Sequence, residues 1–210
     1  MARFTITYFP VRGRAEAMRL LLADQGAEWK DEVVPIQEWM AGESKLKKEA
    51  VFGQLPKFQD GNYVLYQSNA ILQYLGHEFD LCGKNNKEAG VIDMMNNGAE
   101  DFRQKFSRFV FTEYDTGKEK YLADLPKQLC QFETFLSKHP GGFITGGQIS
   151  YADYNLLDLL HLHLSLDPDC LKAFPLLKAY VSKMDARPKI KAYMESDACK
   201  NRPAHPKEKR

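Results

Sequence analysis

Polar and apolar residues alternate through Thr5-Ile6-Thr7-Tyr8-Phe9, and this period of two predicts a half-buried strand. Pro10 ends it, because proline has no N–H to give a ladder. Helical spacing follows. Ala15, Met18 and Leu22 share one face of a helix opening at Arg14, and Gly26 is its expected left-handed terminating residue. Trp29 to Val34 reads as a second strand, and the lysine-rich stretch from Pro35 to Ala50 as irregular chain or a short helix. Two short strands, Lys57–Asp60 and Tyr63–Tyr66, flank Gly61-Asn62, a pair suited to a primed hairpin turn because both residues tolerate positive φ. Ser68 can then N-cap a helix with Ile71, Leu72, Leu75 and Phe79 on its apolar face.

The pattern changes near Leu81-Cys82-Gly83-Lys84, which divides the chain into domains at 1–82 and 84–210. Downstream the apolar residues step only by three and four. Ile92, Met95, Ala99, Phe102, Phe106 and Phe109 mark one long amphipathic helix, and Leu122, Leu125, Leu129, Phe132 and Leu136 the next. Ser150-Tyr151-Ala152-Asp153 has the form of a capping box, with Ile149 and Tyr154 placed for a hydrophobic staple. The helix after it is apolar nearly all round and is expected at the centre of the second domain. Phe174–Met184 and Pro188–Met194 read as closing helices, the second begun by proline.

Composition narrows the classes of function. With 210 residues, 44% hydrophobic and 27% charged, the chain is an ordinary globular one, and a formal net charge of +1 predicts no polyanionic partner. No basic patch interleaved with aromatics suggests nucleic acid. The most apolar run, YNLLDLLHLHLSL, is too short and too polar to span a membrane, and no secretory leader is apparent. Cys82, Cys130, Cys170 and Cys199 lie far apart without zinc or CxxC spacing, so free thiols and a cytoplasmic location are expected. His161 and His163, two apart on a helix, point in different directions, and no metal site is read.

Candidate chemistry sits where the first strand hands over to the first helix. In α/β folds ligands bind at the carboxyl ends of strands, and Tyr8 and Arg14 flank that turn. A strand-end aromatic and a solvated charge remain the alternative on this stretch alone.

Larger motifs sharpen the picture. YFPVRGRAEAMRLLLADQG, FGQLPKFQDG, LYQSNAILQYL and ISYADYNLLDLL, in register, closely resemble the pi class of glutathione transferases from about residue 3 to residue 195. The resemblance implies an α/β thioredoxin-like N-terminal domain followed by an all-α C-terminal domain. It implies a homodimeric enzyme that activates glutathione, a co-substrate rather than a cofactor, and conjugates it to small hydrophobic electrophiles. In the family's pattern Tyr8 and Arg14 serve the thiolate. Leu55, turned by a cis bond to Pro56, pairs with the cysteinyl backbone of glutathione, Gln67 and Ser68 meet the γ-glutamyl carboxylate, and Gln54 also binds glutathione. Trp39 and a lysine meet the glycyl carboxylate. ESKLKKEA is longer here than in the usual pattern by about two residues, which leaves Lys47 as the candidate and Lys45 as the alternative. Asp101 matches the residue that reaches glutathione on the partner subunit. Phe9, Val11, Ile36, Ser107 and Phe111 match the electrophile subsite, and Phe52, Met94 and Met95 the dimer contact.

The chain departs from that pattern in places. Ala50 stands where a reactive cysteine is common, Phe111 where a tyrosine is usual, and Gln73 and His77 where relatives place interfacial arginines. A second functional class is a binding protein of the same family that holds apolar ligands or partner proteins. A glutaredoxin-like redox protein is disfavoured, because the first strand-to-helix turn has no cysteine.

Overall fold

A computed structural model describes residues 2–42 and 44–208. Glu43, in the lysine-rich ESKLKKEA stretch, lies outside them. The chain forms two compact units, Met1–Phe79 with Pro188–Arg210, and Asp80–Arg187.

The first unit begins with β1 (Phe4–Tyr8), a 3₁₀ turn (Gly13–Ala15) and α1 (Glu16–Gln25). β2 (Trp29–Val33), α2 (Ile36–Ala41), α3 (Lys45–Glu49), β3 (Lys57–Asp60), β4 (Tyr63–Tyr66) and α4 (Ser68–Glu78) follow. The strands form one mixed sheet in the order β2-β1-β3-β4, with β1 parallel to β2 and antiparallel to β3. α1 packs against α4. Phe4, Ile6, Phe58, Met18, Leu22, Ile71 and Leu75 are all buried, and each such side chain contributes roughly 1.5–3 kcal/mol.

Several local expectations are refined. A 3₁₀ turn precedes α1, so Arg14 does not itself open the α-helix. Gly26 ends α1 at φ +70°, as its position predicts. Pro35–Ala50 holds two short helices rather than one. Only Gly61 of the hairpin pair takes positive φ, so the turn does not have both residues left-handed. Gln67 is the N-cap of α4, and Ser68 is its first helical residue with no side-chain capping bond. The β4 strand enters the helix through a sharp backbone turn at Gln67, which leaves Ser68 no N-cap geometry.

The second unit is helical. α5 (Asn86–Arg108) is capped by the Asn85 side chain, which accepts the N–H groups of Lys87 and Glu88. It runs on into a π-helical turn, Phe109–Glu113. α6 (Lys118–Lys138), α7 (Tyr151–Leu166) and α8 (Pro175–Asp185) follow, with α5 on α7 and α6 on α8. α7 is buried along almost its whole length. Its capping box is formed, and the Asp153 carboxylate also accepts Ile144 N–H at 2.9 Å and Tyr180 O–H at 3.0 Å. Burial pushes the Asp153 pKa up, against these bonds from Ser150, Ile144 and Tyr180.

The chain then closes with α9 (Pro188–Glu195) and α10 (Asp197–Lys200), a helix the periodicity did not predict. α9 packs on α1, and Tyr193 O–H donates to Glu16 at 2.9 Å. The boundary read at 82/84, with everything after it in one domain, therefore differs from the structure. Residues from Pro188 onward belong with the first unit. Apolar packing, with Ile190 buried and Tyr193 edge-on to Trp29, and the buried bond from Tyr193 to Glu16 hold them there together. Among the described residues no helix is long and apolar enough to cross a membrane.

Candidate active site

β1 delivers Tyr8 to the end of the sheet, where Val34 N–H donates to its carbonyl at 2.9 Å. The chain then folds back. Val11 N–H donates to Phe9 O at 2.8 Å, and Gly13 turns at φ +46°. A Cβ on Gly13 would lie 2.8 Å from the Tyr8 Oη, so only glycine lets the backbone pass this close. The next N–H, that of Arg14, donates to the Tyr8 Oη at 3.1 Å. Tyr8 is 7% exposed, with Phe9 tilted against it at 5.2 Å. A phenol that accepts an amide hydrogen is polarised toward giving its own, since hydrogen bonds in a chain strengthen one another.

Beside it, Trp39 of α2 is buried edge-on to Phe9, with ring centroids 5.7 Å apart. Lys47 of α3 donates to the Trp39 carbonyl at 3.1 Å, and its ammonium lies 5.6 Å from the indole centroid. Lys45, the alternative, is 90% exposed and, among the described residues, pairs with Glu49 at 3.5 Å. The Leu55–Pro56 peptide is cis, and both residues are buried at the entry to β3. Gln54 and Gln67 meet through a side-chain hydrogen bond of 3.2 Å. Gln67 holds φ +72°, a left-handed conformation that costs a non-glycine residue roughly 1–3 kcal/mol. Strain of that size is found where the surrounding structure enforces it. Here it sits at the strand-to-helix junction beside the free N–H groups of a helix start.

Outside the first unit the candidates divide. On α5, Asp101 and Met94 are exposed, whereas Met95 is buried. One helical step separates the faces of Met94 and Met95. Ser107 is half-buried, and Phe111, in the π-helical turn, is 68% exposed. Phe52, before the cis peptide, is 64% exposed.

Comparison with known proteins decides the lineage. Residues 4–77 match the pattern of the glutathione S-transferase N-terminal domain, and residues 100–197 that of its C-terminal domain. The chain is 58% identical over 212 residues to glutathione S-transferase P 1 of Xenopus laevis, covering 100% of both. It is 54% identical over 205 residues to glutathione S-transferase P of Homo sapiens, covering 97% of each. The solved pi-class glutathione S-transferase of Onchocerca volvulus superposes with a TM-score of 0.92 at 37% identity, over 99% of this chain and 100% of that one. This chain belongs to the pi class of the glutathione S-transferase family.

Motif reading for this family missed one group of residues altogether. A buried ionic cluster joins α1, β2 and the closing segment of the glutathione S-transferase first unit. Arg19 donates to Glu16 at 3.1 Å and to Asp31 at 2.9 Å, while Arg202 donates to Asp31 at 3.2 Å and lies 3.9 Å from Glu16. Burial works against the Arg19 charge, and Glu16 and Asp31 more than restore it, so its pKa stands above the ordinary value. The Cys199 thiol faces Glu16 at 3.5 Å, and burial with that carboxylate pushes its pKa up to about 11. Only the spacing of charges in α1 hinted at this cluster, because its other members come from the far end of the chain.

Proposed function

We propose that the protein conjugates glutathione to small hydrophobic electrophiles, with Tyr8 favouring the thiolate of bound glutathione. A free thiol of pKa ~8.5 is only a few per cent ionised at neutral pH. A hydrogen bond to sulfur that lowers this pKa by about 2 is worth ~2.7 kcal/mol, within reach of a buried phenol acting as a charge-assisted donor. The observation that carries the reading is the Arg14 N–H donated to the Tyr8 oxygen. It fixes the ring and leans its hydroxyl toward donation. The Arg14 side chain adds a positive field without titrating itself.

The remaining roles follow the same site. The backbone of Leu55 pairs with the cysteinyl part of glutathione, supported by the cis peptide to Pro56. Gln67 and Ser68 bind the γ-glutamyl carboxylate, supported by the start of α4, and Gln54, bonded to Gln67, belongs to the same glutathione site. Trp39 and Lys47 hold the glycyl carboxylate. The contact of Lys47 with Trp39 and the solvation of Lys45 support Lys47. Phe9, Val11 and Ile36, with Ser107 and Phe111, meet the electrophile. The protein works as a homodimer in the cytoplasm without metal or cofactor. The exposed Phe52 and Met94 support self-association, and Asp101 is assigned to the glutathione of the partner subunit.

Retention on immobilised glutathione, followed by turnover of an activated aryl halide, tests the reading. Both are expected. Retention without turnover would replace the enzyme by a glutathione-binding protein.

A further inference from the structure

The closing segment of the chain touches the turn that carries Tyr8 and Arg14. Arg12 N–H donates to Pro203 O at 2.8 Å, and Gly13 N–H to Ala204 O at 3.3 Å. These are the two peptide groups immediately before the Arg14 N–H that reaches the Tyr8 oxygen. A third contact, Arg12 Nη2 to Cys199 O, is 3.5 Å long.

The segment making these contacts is itself anchored. Ser196 caps α10, accepting Cys199 N–H at 3.3 Å. Arg202 donates to Asp31 at 3.2 Å and to the Tyr193 Oη at 3.3 Å. Ala204 is buried, and its N–H is held by the Glu208 carboxylate. Asp31 also takes Arg19 of α1 at 2.9 Å and the Trp29 indole N–H at 3.2 Å. The segment is thus tied to β2 and α1, the elements that follow β1 in the chain, and its carbonyls hold the loop joining β1 to α1.

We propose that residues 196–208 are a positioning strap for thiolate activation, with Arg202 as the side chain that seats it. This rests on the assignment of Tyr8 as the thiolate donor. A backbone N–H inside the protein must find an acceptor, and a turn that loses one rearranges to recover it. Gly13, at φ +46° and in contact with the Tyr8 ring, is the residue least constrained by its own side chain. Without the strap the turn keeps its local bonds, Val11 N–H to Phe9 O and Ala15 N–H to Arg12 O, and the two 3.4 Å bonds from Arg19 to the Val11 and Arg12 carbonyls, but the N–H groups of Arg12 and Gly13 lose their acceptors. The Arg14 N–H then leaves the Tyr8 oxygen, and the hydroxyl becomes a weaker and less directed donor. The strap touches no atom of the substrates. It acts through Tyr8.

The test is ultraviolet titration of enzyme-bound glutathione thiolate in the full-length protein, in a chain ending at Arg202, and in Arg202→Met and Arg202→Lys. Wild-type protein that leaves bound glutathione as a thiol would refute the assignment of Tyr8, and the strap's role in activation would fall with it. Given an ionised thiol in wild type, the shortened chain is expected to raise its pKa by about 0.5–1. It should lower kcat/KM about 3- to 10-fold on the acid side, with recovery at alkaline pH. KM for glutathione should stay within about 2-fold, since the peptide-binding groups are untouched. Arg202→Met is expected to act in the same direction, and Arg202→Lys to restore at least about half of the shift. In a Tyr8→Phe background the shortened chain should add nothing to the thiol pKa. A folded shortened chain with the wild-type thiol pKa overturns the proposal, as does a full additional shift in the Tyr8→Phe background. Should the shortened chain fail to fold, an unmoved thiol pKa in Arg202→Met overturns it equally.

Discussion

Arg19 in the first unit and Arg103 in the second are both buried guanidiniums on core helices, and they are neutralised differently. Arg103 faces Asp158 at 2.7 Å and the Asn155 side chain at 2.9 Å, and Asn155 in turn donates to Asn96 at 2.7 Å. Every member sits on α5 or α7, and both ends of the ion pair are at most 5% exposed. Arg19 shares Asp31, which is 21% exposed, with Arg202 from the far end of the chain. The first arrangement welds two neighbouring helices. The second gathers α1, β2, α9 and the closing segment around the strand-to-helix turn of the candidate site. A buried ion pair adds little net stability over an apolar replacement, yet breaking one is costly. What such a pair does for a protein therefore depends on what its partners hold in place. Arg103 holds a core, and Arg19 with Arg202 holds the surroundings of Tyr8.

The largest effect tests the welded side of that contrast. Arg103→Ala removes the cation facing Asp158 in a sealed core, and should cost about 3–5 kcal/mol of unfolding free energy. Chemical denaturation measures it, with kcat/KM per folded molecule expected near wild type. A change in turnover as large as the change in stability would erase the distinction between the clusters.

Tyr8→Phe is the converse. It keeps the ring and loses the hydroxyl, so stability should move little while turnover falls on the order of 10²-fold near neutral pH. Glutathione affinity should hold, and the pH–rate profile should move alkaline with partial recovery at high pH. An unmoved pKa of the bound thiol would remove Tyr8 as the activating donor and leave Arg14 as the first candidate.

Acid sharpens the comparison from the second unit. His163 is fully buried on α7, with Nδ1 bonded to Leu159 O at 2.7 Å and Nε2 to the Tyr121 hydroxyl at 2.7 Å. It lies 4.3 Å from the Phe102 ring, and burial, with Arg103 nearby, pushes its pKa down to about 4. Because the folded pKa is below the unfolded value of ~6.5, the unfolded chain binds the extra proton first, and stability falls as pH drops below that value. Between pH 7 and pH 5 this one group should cost about 2 kcal/mol, and His163→Gln should flatten the slope of denaturation midpoint against pH. An equal slope in both proteins would assign the acid lability elsewhere.

The smallest effect concerns selectivity. Phe111 keeps a ring but has no hydroxyl to give a developing oxyanion. Phe111→Tyr should raise turnover of epoxides and Michael acceptors several-fold, leave aryl halides near wild type, and leave the melting temperature unchanged. Equal effects on the two substrate classes would separate Phe111 from the electrophile.

Much of this molecule is legible in its sequence because the signals are local. The period-two run of β1, the hairpin about Gly61, the capping box at Ser150–Asp153 and the left-handed Gly26 each depend on a few adjacent residues. The motifs around Tyr8, Leu55-Pro56 and Gln67-Ser68 likewise mark the candidate site, since each carries its own turn. Tertiary structure decided the rest. It placed Lys47, the preferred candidate, on the Trp39 carbonyl, because two short helices form where the sequence reads as irregular chain or one short helix. It made Gln67 the cap of α4 and turned Met95 inward while leaving Met94 exposed. It also returned residues 188–208 to the first unit and laid Pro203 and Ala204 on the turn beside Tyr8. That last contact joins positions at opposite ends of the chain through backbone carbonyls, which every residue type possesses. No side-chain pattern announces such a bond, so it exists only once the fold has brought the two ends together.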